Sequence, residues 1–186
     1  MRIVAGRFRG AALTGPKGQD IRPTGDRVRE AVFNILAHGI EGARIEAARV
    51  LDLFAGTGAL GLEALSRGAA YVHFVEDNAE ARGLIRRNIE TLGATGVTRI
   101  YRRDATRLGG AGTLKPFDLI FADPPYGKGL AERALQSALA GGWLLPEAIA
   151  VVEEHADAEF ALPSGFALID QRHYGDTAVR FLRHTQ

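Results

Sequence analysis

The chain has no cysteine and only one methionine and one tryptophan among its 186 residues. Without cysteine there is no disulfide, no thiolate nucleophile and no zinc–thiolate site. Chemistry is left to carboxylates, amides, hydroxyls, histidine or a bound cofactor. Long hydrophobic runs are missing too: no stretch approaches the roughly eighteen apolar residues of a membrane helix, and the first twenty residues lack the apolar segment of a signal peptide. A soluble, cytoplasmic protein is expected. Lysine is scarce, with arginine outnumbering it twenty to three, a bias of genomic composition rather than chemistry. No metal site is expected, because His38, His73, His155, His173 and His184 are scattered without ligand spacing.

With 46% apolar residues the chain can bury one good core but is short for two. One domain over 1–186 is expected, divided into a basic arm at 1–23 and a core at 24–186, with a monomer as the default. The net charge is only +1, yet it is unevenly spread. Residues 1–29 hold seven cations against Asp20 and Asp26, a local balance of +5. Glu147, Glu153, Glu154, Asp157 and Glu159 form an acidic stretch without a basic residue. A polarised molecule follows, with one end suited to a polyanion.

After Thr24 and Asp26, the three- and four-residue steps of Val28, Ala31, Val32, Ile35 and Leu36 predict a helix closed by Gly39. Short apolar runs then take over: Arg49 to Phe54, Tyr71 to Val75, Phe117 to Ala122 and Ala148 to Val152, with a weaker one at Val97 to Arg102. Helical stretches separate them, at Leu60 to Arg67, Ala79 to Leu92 and Leu130 to Leu139. Strands apolar throughout belong where helices cover both sheet faces, so the fold class is α/β with a doubly wound, mostly parallel sheet. Phe166 to Arg172 and Ala178 to Leu182 flank a turn and predict a closing antiparallel hairpin. The glycine-punctuated N-terminus predicts a small hairpin or arm on the sheet's edge. Gly109 to Gly112 read as a flexible loop.

Val50 to Gly61 spells a strand, a glycine loop and a helix start. Gly56 and Gly58 permit turns that a side chain forbids and bring backbone amides close to a ligand. By itself the pattern fits several nucleotide-like cofactors. Glu76 ends the second strand, where a carboxylate can accept from two ribose hydroxyls. Asp52 lies inside the first strand, a costly place for a carboxylate unless a cation or ordered donors meet it. A bound sulfonium and amino group would supply them. Asp104, after the third strand, could accept from an adenine amine or cap a helix.

Asp123-Pro124-Pro125-Tyr126 follows the fourth strand and should lie beside the glycine loop, since ligands of open α/β sheets bind at the strands' carboxyl ends. The prolines remove two amide donors and leave carbonyl acceptors, to which Asp123 adds another. An exocyclic amine, with two hydrogens to donate, is the natural guest. Holding both hydrogens draws its lone pair out of the ring plane, and Tyr126 could stack on the base. Reaction then needs positioning more than acid–base work.

These motifs together resemble class I methyltransferases that act on amino groups. Arg2-Ile3-Val4-Ala5-Gly6 with Arg9-Gly10, the run from Arg22-Pro23-Thr24 to Asn34, and Asp52 to Gly68 followed by Val75-Glu76 are similar to the RsmD family over residues 2 to about 183. The resemblance implies a Rossmann-like fold and S-adenosyl-L-methionine as cofactor. It implies methylation of N2 of one guanine of bacterial 16S rRNA, position 966, with a partly assembled 30S subunit as the expected substrate. Carried onto this chain, Asp52, Ala55, Gly56 and Gly58 would hold the methionine end, Glu76 the ribose and Asp104 the adenine. Phe54, Thr57 and Ala105 would complete the cofactor contacts. Asp123, Pro124, Pro125 and Tyr126 would receive the guanine. Arg7, Arg9, Arg22, Thr24, Arg27 and Arg29 would contact phosphates near the flipped base. Three other readings compete: a DNA adenine N6-methyltransferase, which usually needs a recognition region this chain has no length for; an NAD-dependent oxidoreductase, which leaves the tetrapeptide without a purpose; and an RNA-binding module with a vestigial pocket.

Overall fold

The computed structural model describes residues 1–17 and 25–185. The first helix, α1 (Gly25–His38), follows the expected periodicity and buries Val32, Phe33 and Leu36. Beyond it the chain alternates: β1 (Arg49–Leu53), α2 (Ala59–Ser66), β2 (Tyr71–Val75), α3 (Ala79–Thr91), β3 (Thr98–Tyr101), β4 (Phe117–Ala122), α4 (Leu130–Ala140), β5 (Leu144–His155), β6 (Phe166–Tyr174) and β7 (Thr177–His184). The strands form one sheet in the order β3-β2-β1-β4-β5-β7-β6. β1 to β5 run parallel, and β7 pairs antiparallel with both β5 and β6. The expected α/β sheet and C-terminal hairpin are both present.

Both faces of the sheet are covered, which is why the central strands need apolar residues on both sides. Val50, Phe74, Phe121 and Val151 pack under α1, α2 and α3 through Phe33, Leu65 and Ile85. Leu51, Val75, Ile120 and Val152 face α4 through Ala134 and Leu135, with Trp143 and Phe117 beside them. Phe33 and Phe121 meet with ring centroids 5.5 Å apart, fixing α1 over the sheet. No helix among the described residues is long and apolar enough to cross a membrane.

Three details differ from expectation. The N-terminal arm does close a small hairpin, through an antiparallel bridge between Arg2 and Ala12, but it does not lie on the sheet's edge. It docks on α2 and α3: Val4 and Ala5 donate backbone N–H groups to Glu63, and Thr14 donates to Asn88 Oδ1 at 2.7 Å. Ile3 and Leu13 are buried there, so the arm adds to the core above the helices. β5 begins four residues early, at Leu144, because its register with β4 jumps between Phe117 and Leu119 around the kink at Pro146 and Glu147. The Gly109–Gly112 loop is fastened, with Trp143 Nε1 donating to Gly109 at 2.8 Å and Ala111 N–H donating to Gly141 at 2.9 Å.

Strand register sets the site. Val75, Leu53, Ala122 and Val152 lie level across β2, β1, β4 and β5. The next residues are Glu76, Phe54, Asp123 and Glu153, so four residues lie in one row, just past the carboxyl ends of β2, β1 and β4 and within the longer β5. Connections leave β1 toward β2 on one side and from β4 toward β5 on the other, and this reversal opens a crevice between β1 and β4.

Candidate functional site

A cavity of about 820 Å³ fills that crevice. Asp52, Phe54, Ala55, Gly56 and Thr57 line it from the glycine loop, Glu76 from β2, Asp104 from beyond β3, and Asp123, Pro124 and Pro125 from beyond β4. Four segments far apart in sequence therefore share one space. Gly58 and Ala105 take other positions. Gly58 turns the loop under itself against Phe74 and Ile85, and Ala105 is buried in the core beside α4.

The loop is tight. Gly56 and Gly58 adopt φ of +59° and +81°, and Phe54 takes a left-handed φ of +55° although it carries a side chain. Such a conformation costs about 1–3 kcal/mol and persists only where its surroundings enforce it. Here Ala55 N–H donates to the Val75 carbonyl at 3.1 Å, and Gly56 N–H donates to Glu76 Oε1 at 2.9 Å. Glu76 Oε2 accepts from Asn78 N–H at 3.0 Å. Each carboxylate oxygen has two acceptor sites, so a carboxylate so held still has capacity for hydroxyls.

Asp52 is 1% exposed, and its Oδ2 accepts from Gly61 N–H at 3.0 Å. Gly61 must be glycine for this to happen: a Cβ there would stand 2.6 Å from both Phe74 and Val72. Burial, aided by the nearby Glu76 charge and opposed by the Gly61 amide, pushes the Asp52 carboxyl up to about 8. A cationic ligand group would reverse that balance. Asp104 behaves differently. Its Oδ1 accepts from Thr106 N–H and Oγ1 at 2.9 and 2.7 Å, and these bonds hold its carboxyl below the usual range, with Arg107 and Arg133 nearby adding to the effect. It caps a short turn and faces the cavity at once.

The acceptor end departs from expectation in two ways. Tyr126 is not on the cavity wall: its hydroxyl donates to Glu153 Oε1 at 3.1 Å and lies 3.3 Å from Thr177 Oγ1, while its ring meets His155 edge-on at 6.0 Å. Those two hydroxyl partners turn the ring toward β5 and β7, so the stacking role expected from sequence is not the geometry observed. The acidic stretch, in turn, is divided: Glu147, Asp157 and Glu159 are exposed, whereas Glu153 and Glu154 turn inward. Glu153 and Thr177 line the cavity, and the buried Glu154 accepts from the N–H groups of Gly127 and His155 at 3.0 and 2.7 Å. Two adjacent carboxylates thus serve the tetrapeptide loop from opposite sheet faces. Their signal in sequence was their place at the end of an apolar strand, which Glu76 shares.

The basic residues separate. Arg7, Arg9 and Arg27 are exposed, as a phosphate contact requires. Arg22 and Thr24 lie outside the described residues. Arg29 is not exposed as expected: it lines the cavity, is 5% exposed, donates to Glu63 Oε1 at 3.1 Å and to Asp26 Oδ1 at 2.8 Å, and also donates to the Arg2 carbonyl. Its guanidinium is committed to tying α1, α2 and the arm together. Met1 and Pro16 bring the same arm to the cavity wall.

A parallel sheet with this strand order, an antiparallel C-terminal hairpin, and a glycine loop and carboxylates converging at the switch point define the class I methyltransferase fold. The family model described as Conserved hypothetical protein 95 matches residues 1–183, and the chain belongs to that family, the RsmD family. It is 38% identical over 182 residues to ribosomal RNA small subunit methyltransferase D of Escherichia coli, covering 97% of this chain and 88% of that one. The protein of the same name from Haemophilus influenzae is 33% identical over 186 residues, covering 99% and 94%. Among solved structures, yhhF of Escherichia coli superposes with a TM-score of 0.83 at 33% identity, covering 100% of this chain and 98% of that one.

Proposed function

We propose that this protein methylates the exocyclic N2 of one guanine in 16S rRNA, position 966, using S-adenosyl-L-methionine. The observation that carries the reading is the meeting of Asp52, the glycine loop, Glu76 and Asp123–Pro125 in one cavity. The names of its family relatives support rRNA of the small subunit as the substrate. The donor set suits the cofactor: a buried carboxylate for cationic groups at Asp52, a ribose acceptor at Glu76 and an adenine contact at Asp104. When bound, S-adenosyl-L-methionine supplies an electrophilic methyl group on a sulfonium.

The chain's own residues do the rest. Asp123 and the Pro124 carbonyl accept from the base amine and turn its lone pair out of the ring plane. The tetrapeptide, held by Glu154 and by the Tyr126 hydroxyl, keeps those acceptors in place, so the barrier falls mainly through orientation. Methyl transfer would break the sulfonium S–CH3 bond and leave a neutral thioether, and Asp123 or water would take the proton that the methylated amine gives up. Exposed Arg7, Arg9 and Arg27 position the RNA through phosphates. The chain acts as a single domain, as a monomer in the cytoplasm, on a partly assembled 30S particle.

The test is transfer of labelled methyl to small subunits from a strain lacking this gene, followed by nucleoside analysis, with Asp123→Ala in parallel. Label in N2-methylguanosine that the variant loses, while cofactor binding by calorimetry is retained, is the expected result. Label in N6-methyladenosine instead would overturn the guanine reading.

A further inference from the structure

Glu153 lies within β5, one residue past Val152, whose partner is the last residue of β4, Ala122, so it is level with Asp123. Strand alternation puts Ile149, Val151 and Glu153 on the same sheet face as Leu119, Phe121 and Asp123, the face that also carries Val50 and Asp52. Both Asp123 and Glu153 line the cavity. The Glu153 carboxylate is oriented from behind by the Tyr126 hydroxyl at 3.1 Å, which Thr177 Oγ1 meets at 3.3 Å. Tyr126 adjoins Pro125, so the segment offered to the amine also aims this second carboxylate. The acceptor end of the cavity thus brings two carboxylate residues, Asp123 and Glu153, together beside Pro124 and Pro125.

Such a wall suits a base whose amine has a second N–H donor beside it. In guanine the N2 amine is flanked by N1–H. In adenine the N6 amine is flanked by the N1 lone pair, which a carboxylate repels and leaves unpaired. We propose that Glu153 accepts the N1–H of the target guanine and makes the site select guanine over purines that lack this proton. The proposal rests on the N2-guanine reading above and adds the residue that reads the base. A hydrogen bond to a charged group changes an equilibrium by roughly 10- to 150-fold, and a site built around one rejects an analogue that cannot make it.

Guanine and 2-aminopurine carry the same 2-amino group but differ at N1, which is protonated only in guanine. Small subunits reconstituted on 16S rRNA with one or the other at the target position therefore isolate the contact. Wild-type protein is expected to favour guanine by at least tenfold in kcat/KM. In Glu153→Gln the neutral amide accepts the guanine N1–H more weakly and can instead donate to the bare N1 of 2-aminopurine, so the preference should shrink at least tenfold, through loss on guanine and gain on 2-aminopurine together. An unchanged preference in the variant, whether both rates fall together or neither falls, would overturn the role of Glu153 and leave the N2 reading standing. Failure of wild-type protein to methylate either purine while labelling an adenine would remove the N2 reading, and Glu153 with it.

Discussion

Asp52 is an anomaly at the residue scale: a carboxylate inside an otherwise apolar strand, buried and pushed up to about 8. Its folded value lies above its unfolded one, so it favours the folded state at low pH. That contribution is lost as pH rises from about 4 toward about 8 in the ligand-free protein. A cofactor whose cationic groups meet Asp52, as proposed, would reverse the preference, ionising the carboxyl and releasing a proton. Cofactor affinity should therefore rise as pH increases toward about 8, by up to roughly tenfold per unit. Calorimetry in buffers of different ionisation enthalpy reads the released proton directly. Asp52→Asn should bind weakly and lose this dependence, and an unchanged pH profile in that variant would remove Asp52 from the cofactor site. The misplaced charge was visible in the sequence. Its principal partner, the Gly61 amide nine positions away, came from the packing of α2 against β2.

At the scale of elements, α2 is the joint on which the rest is assembled. Glu63, fully buried in its middle, accepts from Val4 and Ala5 N–H at 2.9 and 3.1 Å, from Arg29 Nε at 3.1 Å and from Arg67 Nε at 3.0 Å. Removing one side of a buried pair costs far more than the pair is worth, because the partner charge is stranded. Glu63→Ala should lower stability by about 3–5 kcal/mol in denaturant titration. A loss below about 1 kcal/mol would mean that water replaces the carboxylate cheaply. Asn88 on α3 does a related job, accepting from Thr14 N–H and donating to the carbonyls of Thr14 and Thr57, which ties the arm to the glycine loop. The elements themselves were legible, since helix periodicity and strand-length apolar runs depend on local spacing. The docking of the arm was not, because glycine punctuation shows that a segment leaves the core without showing where it lands.

For the whole molecule, the basic N-terminus and the acidic stretch suggested a polarised charge distribution, and the fold draws single residues inward from each. Arg29 is buried against Glu63 at the cavity wall, whereas Arg7 and Arg9 stay exposed on the arm, Arg7 lying 4.5 Å over the Phe8 ring. The arm that presents them also brings Met1 and Pro16 to the cavity. Each arginine that meets a phosphate contributes about 0.7 to 0.9 to the slope of log affinity against log salt. Arg7→Ala and Arg9→Ala should each weaken subunit binding, and each should lower that slope by about one of these increments. Filter binding across a salt series separates this from a folding defect, which would reduce affinity without changing the slope.

The sequence alone determined whatever depends on local order: the α/β alternation, the glycine loop, the carboxylates at strand ends, the acceptor tetrapeptide and the family those motifs resemble. It did so because periodicity, turn chemistry and the cost of a misplaced charge act over a few residues. Only the tertiary structure decided which face Glu153 and Glu154 serve, where Tyr126 points, and that Arg29 braces the core. Those outcomes turn on strand register and on contacts between residues far apart in the chain. The orientation of a side chain at such a meeting is settled by partners that its own neighbours in sequence do not specify.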